Sequence, residues 1–479
     1  MNIALILLPS WRRETPSLAI AYLASHLKKK GHFVSRFEFN LKLISKKWDA
    51  YLNNINSSKE ILRKILNNSF NIEQNKFSKL TKYIEFCTTS ILKKSPKVVA
   101  FSTYSCNYIL SLIIAKKIKE INSEIIIIFG GPEVYNDKNN LLILKNGLVD
   151  YYILGEGEII LPKLLNKLKN HSQINIPGIK YINSDNKIYY DEWIPRKNIN
   201  KFELPLFQKN DILNSEVPWM LPLLTNRGCT KKCDFCFEQK FWKKFRQRTP
   251  ENVISEVKHQ IKSFNITNFR INDSAINISF IETFCNTLNK QNITIKWGGN
   301  IQVNKNLNSS ILNLMYKAGC KFLYFGAESG SDKILKYMNK KIDYKITQQN
   351  IKDAHNAHIW VHLYLIVGYP TETKEDFLKT IQFIIRNKNY IDSFDVSAFL
   401  PLHKTKIYNK KEVNSVCNLT IKKRINIIKK LFKHKLGYPY SLFLEKDNIN
   451  YKKTKIYKIY NSKIKINYDY YNQIFNKKL

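Results

Sequence analysis

The stretch Arg227-Gly228-Cys229-Thr230-Lys231-Lys232-Cys233-Asp234-Phe235-Cys236 holds three of the chain's eight cysteines within eight residues. It follows an apolar run that we predict to be a buried strand, so three thiolates share one loop at a strand end. Soft thiolates in this arrangement bind zinc or an iron–sulfur cluster. Structural zinc normally has four ligands, and the next histidine along the chain is His259. A four-iron cluster with one open iron is therefore favoured, and a zinc knuckle completed from a distance remains the alternative.

Strands and helices alternate on the carboxyl side of this loop. The predicted strands are Leu223–Asn226, Asn268–Ile271, Ile293–Trp297, Phe322–Gly326, Val361–Val367 and Phe394–Phe399. Six such units predict a partial (β/α)6 barrel over residues 221–405, with its chemistry at the carboxyl ends of the strands.

The spacing Cys-x3-Cys-x2-Cys, with the aromatic Phe235 before the last cysteine, resembles the signature of the radical S-adenosylmethionine (SAM) superfamily. The resemblance implies a [4Fe-4S] cluster held by Cys229, Cys233 and Cys236, with SAM bound at the open iron. One electron from the cluster would then cleave SAM to methionine and a 5′-deoxyadenosyl radical, which abstracts a hydrogen atom from an unactivated carbon.

Two later segments extend the resemblance. Residues 320–331 resemble the family segment that presents a glutamate, here Glu328, to the SAM ribose, and residues 365–373 resemble its glycine-proline segment. The residues expected to contact SAM on this basis are Phe235, Glu328, Ser329, Gly368 and Pro370. Asn272-Asp273 matches an acidic position of the family, but Ser274 replaces a frequent second acid, so we assign no role there.

Residues 1–185 also alternate strands with helices. Predicted strands are Ile3–Leu8, His32–Phe37, Val98–Ser102, Glu124–Phe129 and Tyr151–Leu154. Short apolar strands of this kind predict an α/β fold with a doubly wound, Rossmann-like sheet, whose ligands bind at the carboxyl ends of the strands. The polar, helical stretch from about 40 to 94 interrupts the pattern and is predicted to be an insertion.

A doubly wound domain followed by a radical SAM barrel resembles the cobalamin-binding subclass of the superfamily. The matching residues are Pro9, the Thr15–Leu18 run, Ser102-Thr103, Gly130-Gly131-Pro132 and Gly155-Glu156-Gly157-Glu158. Cobalamin is accordingly expected at Ser102, Thr103, Gly130, Gly131, Gly155 and Glu156. The chain contains no Asp-x-His-x-x-Gly loop, which implies a cobalt without a protein histidine below it. A nucleotide-type or purely structural domain remains the alternative, although the absence of Gly-x-Gly-x-x-Gly disfavours a nicotinamide cofactor.

The subclass implies a C-methyltransferase on a biosynthetic intermediate, using one SAM to methylate cobalamin and a second as radical source. A cobalamin-dependent cyclase or oxidoreductase without methyl transfer is the first alternative, and a non-catalytic zinc and nucleic-acid-binding protein is the second. A methylthiotransferase needs a second cluster on three amino-terminal cysteines, and only Cys87 and Cys106 precede the barrel. Expected partners are a small-molecule, lipid or peptide substrate and an electron donor such as flavodoxin or ferredoxin; the sequence does not identify the substrate.

The formal net charge of +40 permits nucleic acid or acidic surfaces as partners. The lysines are spread along the chain, as expected for a protein encoded by an AT-rich genome. A nucleic-acid partner is therefore not favoured. Scattered cysteines and apolar runs too short to cross a bilayer predict a cytoplasmic protein. Residues 186–220 are predicted to be a linker, and residues 406–479 a mostly helical, basic and tyrosine-rich extension of unassigned role.

Overall fold

The computed structural model describes residues 1–9, 15–39, 46–67, 69–70, 78–135, 137–208, 220–402, 405–408 and 418–431. The chain divides into two compact units, Met1–Val217 and Pro218–Leu479. Across the described ranges, no helix is both long enough and apolar enough to pass through a membrane. The tyrosine-rich end of the predicted extension and Cys417 lie outside the described residues.

The first unit is built on one mostly parallel sheet. Its strands are β1 (Asn2–Leu7), β2 (Phe33–Glu38), β3 (Val98–Ser102), β4 (Ile126–Gly130), β5 (Tyr151–Ile153), β6 (Ile179–Ile182) and β7 (Ile188–Tyr190). In the described residues their order is β2-β1-β3-β4-β5-β6-β7, with β2 to β5 parallel and the last two strands antiparallel. The order reverses between β1 and β3, which is where a doubly wound sheet opens a crevice for ligands. The predicted α/β architecture is confirmed.

Seven α-helices are described in this unit: α1 (Leu18–Lys29), α2 (Lys46–Asn56), α3 (Lys59–Leu66), α4 (Ser78–Leu92), α5 (Tyr108–Ile121), α6 (Asp137–Lys145) and α7 (Gly157–Lys169). Helix α1 begins where the Ser17 side chain accepts a hydrogen bond from the Ile20 amide, the ordinary cap of a helix amino terminus. Helices α2, α3 and α4 fall in the predicted insertion and contact α5. The insertion is therefore packed on the sheet domain through α5.

Part of the predicted linker packs against the first unit. Residues 186–208 of this segment belong to the first unit, and Trp193, Ile199 and Phe207 among them are buried. Met220, its other described residue, belongs to the second unit. The Leu206 amide also donates to the Ala21 carbonyl oxygen at 3.1 Å. Sparse but large apolar residues in a polar stretch thus bind this segment to the surface of the first unit.

The second unit contains β8 (Leu221–Leu223), β9 (Asn226–Arg227), β10 (Arg246–Gln247), β11 (Asn268–Ile276), β12 (Lys296–Ile301), β13 (Cys320–Glu328), β14 (Trp360–Val367) and β15 (Ser393–Ala398). Six of these strands form a parallel sheet with the order β15-β14-β13-β12-β11-β8 among the described residues. Strands that follow one another in both sequence and space, with helices between them, are typical of a partial barrel. The short pair β9–β10 stands apart and is antiparallel.

Its described helices are α8 (Glu238–Trp242), α9 (Pro250–Phe264), α10 (Ile278–Lys290), α11 (Ser309–Lys317), α12 (Asp332–Tyr337), α13 (Tyr344–Asn356), α14 (Lys374–Arg386) and α15 (Asn418–Leu431). One face of β14 buries Leu363, Leu365 and Val367, while Tyr364 and Ile366 on the other face stay partly exposed. The fully buried face of β14 therefore belongs to the apolar core, and the other face keeps part of its surface accessible.

The third strand of the sheet begins later than predicted. We expected Ile293–Trp297, and β12 runs from Lys296 to Ile301. Gly298 and Gly299 favour a turn in the sequence, but they lie inside the strand. A β-carbon on Gly298 would lie 2.3 Å from the Phe322 carbonyl oxygen, so glycine allows the close approach of β13.

Candidate active site

The three predicted cysteine ligands lie in the loop that joins β9 to β10. Register Arg227↔Arg246 closes the base of this loop. Gly228 opens the loop with φ +87°, and a β-carbon there would lie 2.9 Å from the Lys244 carbonyl oxygen. A glycine is needed at this point because both its backbone conformation and its close contact exclude a side chain.

All three cysteine side chains are partly buried. Burial raises the pKa of Cys236 to about 12, and the neighbouring charges of Glu238, Cys233 and Cys229 act in the same direction. Burial likewise raises the pKa of Cys233. The thiols of Cys233 and Cys236 would thus be protonated on their own, and a bound cationic group would be needed to hold them as thiolates.

Among the described residues, no three His, Cys, Asp or Glu side chains converge on a point that one metal ion would fill. Cys229 accepts N–H hydrogen bonds from the Lys231 amide at 3.4 Å and from Gln302 Nε2 at 3.1 Å. Three sulfur donors with N–H groups directed at the sulfur fit an iron–sulfur cluster.

The cysteine loop is fastened to the segment that follows α12. The Asp234 amide donates to the Met338 carbonyl oxygen at 3.1 Å, and Asn339 Nδ2 donates to the Lys232 carbonyl oxygen at 2.9 Å. Phe235 packs against a buried apolar cluster of Ile334, Met338, Tyr369, Phe399 and Ile407. The structure thus places Phe235 as an apolar anchor of the loop.

Asp273, to which the sequence assigned no role, fixes the strand end that enters the loop. It accepts hydrogen bonds from the Thr225 amide at 2.8 Å, from the Thr225 hydroxyl and from Asn226 Nδ2 at 2.7 Å. Burial raises the pKa of Asp273 to about 7, although these donors oppose the change. Asp273 therefore fixes the position of Thr225 and Asn226, which lead into the cysteine loop.

Glu328 is held in a strained backbone conformation. Its φ is +61°, and the register of β13 against β14 shifts between Gly326 and Glu328. A β-carbon on Gly326 would lie 2.7 Å from Glu328 Oε1 and 3.2 Å from Lys340 Nζ, so the glycine leaves the space that both side chains fill. Left-handed backbone at a non-glycine residue costs of order 1–3 kcal/mol and is found preferentially at functional sites.

Lys340 is the partner of Glu328, with Nζ 3.0 Å from Oε1. Burial lowers the pKa of Lys340, but the charges of Glu328, Cys233 and Cys229 and the Glu328 hydrogen bond raise it by more. An ammonium group therefore lies beside both the carboxylate and the cysteine loop. The sequence patterns did not single out Lys340, because it follows α12 and no motif marks it.

Ser329 and its neighbours are bound to helix α14. The hydroxyl oxygens of Ser329 and Thr380 lie 3.1 Å apart, and the Gly330 amide donates to Thr380 Oγ1 at 3.0 Å. Ser331 Oγ donates to Asp376 Oδ1 at 2.7 Å. Burial would raise the pKa of Asp376, but hydrogen bonds from Ser331, Lys333 and Thr373 lower it to about 2. These contacts fix the turn after Glu328, and they occupy the Ser329 hydroxyl.

The predicted glycine-proline segment packs against α15. Gly368 has φ +78°, and a β-carbon there would lie 2.4 Å from Ile421 Cγ1. Its amide donates to Glu372 Oε2 at 2.8 Å, and Arg424 pairs with the same carboxylate. Gly368 thus serves the fit of α15, while Pro370 in the same turn remains partly exposed.

The residues predicted for cobalamin lie at the carboxyl ends of β3, β4 and β5, and several of them bind each other. Thr103 is fully buried, and its amide and hydroxyl both donate to the Gly130 carbonyl oxygen, at 2.7 and 2.8 Å. A β-carbon on Gly131 would lie 2.4 Å from the Thr103 carbonyl oxygen. Ser102 is buried, whereas the two glycines stay partly exposed. The surface left open is backbone and small side chains, which fits a flat ring.

Asn107, which the sequence did not reveal, joins β1 to β3 at the point where the strand order reverses. Its Nδ2 lies 3.2 Å from both the Leu8 and the Ser102 carbonyl oxygens, and its Oδ1 accepts from the Tyr104 amide at 2.8 Å. The residue is fully buried. It fixes the two strand ends that border the crevice.

Gly155 and Glu156 are covered by the chain itself. A β-carbon on Gly155 would lie 2.1 Å from the Trp193 ring, and the residue has φ +82°. Glu156 is buried, and its Oε2 accepts from the Arg196 amide at 2.9 Å. Both predicted cobalamin contacts therefore also hold the segment that the sequence marked as a linker.

Two family models match the chain. The B12 binding domain matches residues 85–165, and the radical SAM superfamily matches residues 223–384. The second match includes the cysteine loop, Glu328 and the glycine-proline segment. Together they imply a [4Fe-4S] cluster and SAM as cofactors and support cobalamin, in agreement with the donor set and the open sheet edge.

Curated relatives align with somewhat more than half of the chain. An uncharacterized methyltransferase of Pyrococcus horikoshii is 27% identical over 61% of this chain and 65% of its own length. A protein of Methanocaldococcus jannaschii, provisionally named a methylthiotransferase, is 30% identical over 65% of this chain and 69% of its own. An anaerobic magnesium-protoporphyrin IX monomethyl ester cyclase of Rubrivivax gelatinosus is 27% identical over 55% and 49%. The chain thus spans between half and about two thirds of the length of these relatives.

Solved structures share the fold at low sequence identity. The radical SAM methyltransferase TsrM of Kitasatospora setae, solved with cobalamin and a [4Fe-4S] cluster, matches with a TM-score of 0.62, 13% identity, and coverage of 85% of this chain and 77% of that one. The cobalamin-dependent radical SAM enzyme OxsB matches with a TM-score of 0.60, 17% identity, and coverage of 88% and 56%. These structures show the shared fold. The family matches and the M. jannaschii relative establish that this chain belongs to the radical SAM superfamily, in the subclass with an amino-terminal B12-binding domain.

Proposed function

We propose that this protein is a cobalamin-dependent radical SAM methyltransferase acting on a carbon atom of a biosynthetic intermediate. The observation that carries the proposal is a three-cysteine loop next to a strained, lysine-paired glutamate, in a chain that also has a B12-binding domain. Two of the relatives described above are named as enzymes that transfer methyl or methylthio groups.

Cys229, Cys233 and Cys236 would hold the cluster through their sulfur atoms. When bound, the cluster supplies the electron that cleaves SAM, and cobalamin supplies a carrier for the methyl group. The chain's own contribution is to fix the loop: Asp273 holds its first strand, Asn339 binds its Lys232 carbonyl, and Phe235 anchors it in the core. A loop fastened at three points keeps the sulfur atoms in place whatever the oxidation state.

Glu328 and Lys340 would bind SAM. The carboxylate can accept hydrogen bonds from ribose hydroxyl groups, and the ammonium group, lying beside the cysteine loop, can attract the carboxylate of SAM. In the structure the two side chains bind each other at 3.0 Å. Bound SAM would therefore either break the Glu328–Lys340 ion pair or bind to both of its side chains. The turn fixed by Thr380 and Asp376 would limit how far Glu328 can move.

Cobalamin would lie over the carboxyl ends of β3 and β4, where Gly130 and Gly131 leave the backbone accessible. Thr103 shapes this surface by binding the Gly130 carbonyl oxygen. Gly155 and Glu156 would act from one side, by fixing the Trp193–Arg196 segment.

A test without a known substrate is available. Anaerobic protein would be supplied with iron, sulfide and cobalamin, then incubated with SAM carrying a labelled methyl group and a strong reductant. We expect 5′-deoxyadenosine, S-adenosylhomocysteine, and the label on cobalamin. Protein that binds iron and sulfide but never forms 5′-deoxyadenosine would exclude the radical SAM activity.

A cyclase or oxidoreductase is the second candidate, favoured by the cyclase relative. The same experiment separates the two reactions, since cleavage of SAM without transfer of the label to cobalamin would favour the cyclase. Methylthio transfer has less support. The amino-terminal unit contains two cysteines, and Cys87 is fully buried with a pKa that burial raises to about 12.

The substrate class proposed is a small molecule, lipid or peptide, with flavodoxin or ferredoxin as electron donor. We propose a cytoplasmic location, because the described cysteines are free and low-potential clusters are kept reduced inside cells.

A further inference from the structure

Gln302 lies directly after β12 and reaches the cysteine loop. Its Nε2 is 3.1 Å from Cys229 Sγ and 3.2 Å from Thr230 Oγ1. The Thr230 hydroxyl lies 3.4 Å from Gln302 Oε1 and can donate to it. The amide is therefore oriented from one side by Thr230, with its N–H directed at the sulfur atom.

A hydrogen bond to a cluster sulfur changes the energy of the two oxidation states unequally. The reduced cluster carries one more negative charge, part of which resides on the sulfur ligands, so a donor stabilises it more than the oxidised cluster. Hydrogen bonding to sulfur is one of the means by which proteins set cluster potentials. The donor here directly follows β12 and is not part of the cysteine loop, so the fold of the sheet controls its position.

We propose that Gln302 is a positioning residue that raises the reduction potential of the cluster through its hydrogen bond to Cys229. The proposal rests on the function proposed above, because it needs a cluster on the three cysteines. It assigns to β12 a role in electron transfer to SAM, which no motif in the sequence indicated.

The test is the midpoint potential of the cluster, measured by titration followed with electron paramagnetic resonance. Gln302→Leu keeps the size of the side chain and removes the donor. We expect the reduced-to-oxidised ratio at fixed applied potential to fall about tenfold, which is ~59 mV for one electron. Gln302→Glu places an anion beside the sulfur, and its fall should be larger.

A matched control is available in Gln239. Its Nε2 donates to the Lys231 carbonyl oxygen at 2.7 Å, so it binds the same loop without contacting sulfur. Gln239→Leu should leave the potential unchanged. If it shifts the potential as much as Gln302→Leu does, loop packing and not the N–H···S bond sets the potential, and the proposal is wrong.

Iron and sulfide content separates the remaining outcomes. A full cluster in Gln302→Leu at the wild-type potential would overturn the inference while leaving the proposed function intact. Wild-type protein that assembles no four-iron cluster would overturn the proposed function, and the inference with it. If the Gln302→Leu protein does not retain its cluster, Thr230→Val is the variant to measure instead. It removes the hydroxyl that orients the Gln302 amide and leaves the amide itself in place. A smaller fall in the same direction would support the proposal, and no change would contradict it.

Discussion

A glycine and a nearby glutamate lie at the carboxyl end of a parallel strand in each unit: Gly155-Glu156 after β5 in the first, and Gly326 and Glu328 in β13 in the second. In the first unit the chain fills the site itself: Trp193 covers the glycine, and the glutamate binds the Arg196 amide. In the second unit the glutamate has a left-handed backbone and faces a lysine beside the cysteine loop.

The two glutamates differ in backbone strain and in the kind of partner that holds the carboxylate. Glu156 has an extended backbone with φ −87°, and its carboxylate is satisfied by a backbone donor. Glu328 has φ +61°, and its carboxylate is held by a charged side chain that a ligand could displace. A strained residue with a displaceable partner is typical of a binding site, whereas a relaxed, satisfied one is typical of a structural contact. The following predictions test this division.

The largest effect is expected at the cysteine loop. Cys236→Ala should reduce bound iron to background and lower 5′-deoxyadenosine formation roughly 10³-fold or more, because a cluster ligand is lost. Cys285→Ala is the matched control, since Cys285 is fully buried in α10. It should keep iron and activity and cost about 1 kcal/mol in the free energy of unfolding. Equal loss of iron in both variants would contradict the assignment of the ligands.

Gly155→Ala should lower the free energy of unfolding by about 2–4 kcal/mol, because the new β-carbon meets the Trp193 ring and the φ is positive. Gly147→Ala isolates the backbone term. Gly147 has φ +67° and no atom within 4 Å of its added β-carbon, so it should cost about 1 kcal/mol. Denaturant unfolding measures both. If Gly155→Ala proved stable but lost affinity for cobalamin, Gly155 would be a ligand contact and the division would be wrong.

Glu328→Gln should weaken SAM binding by roughly 10- to 100-fold, since hydrogen bonds to a charged group contribute about 1.5–3 kcal/mol. The cluster should still assemble. Glu156→Gln is the counterpart in the first unit, where the amide oxygen can still accept from the Arg196 amide, so we expect little change in stability or SAM affinity. Equilibrium binding of SAM to the reconstituted protein measures the difference. Similar SAM affinities for the two variants would contradict the distinction between Glu328 as a binding residue and Glu156 as a structural one.

The smallest effect is a dependence on pH at Asp273. Its folded pKa of about 7 lies above the ordinary pKa of 3.8 of an aspartate carboxyl group. From about pH 4 to about pH 7 the unfolded side chain is ionised while the folded one still binds a proton. Its contribution to stability is therefore present below that window and lost as the pH rises through it, by at most about 1.4 kcal/mol per pH unit. Asp273→Asn should be flatter in this window, and an identical slope in denaturant unfolding at several pH values would contradict the shifted pKa.

Much of the fold was predictable because strand periodicity and short connections determine it. Five of the six strands of the second sheet and the five parallel strands of the first were found in the sequence, with differences at the ends such as the late start of β12. The first strand of the second sheet was misplaced: Leu223–Asn226 was predicted, and β8 runs from Leu221 to Leu223. The cysteine loop was predictable since its ligands are close along the chain. Its supporting residues were not, because Gln302 and Lys340 lie far from the loop in sequence and no motif marks them.

The sequence by itself determined the donor chemistry: three thiolates in one loop can bind only a few kinds of group, and their spacing is a local property. The tertiary structure decided which of the glycines and acids at the sheet edges remain available to ligands. Gly155 and Gly326 each lie just before a glutamate in the sequence, but Gly155 faces the Trp193 indole and Gly326 faces the Lys340–Glu328 pair. That distinction depends on which distant segment packs there, and packing between distant segments is set only when the chain has folded.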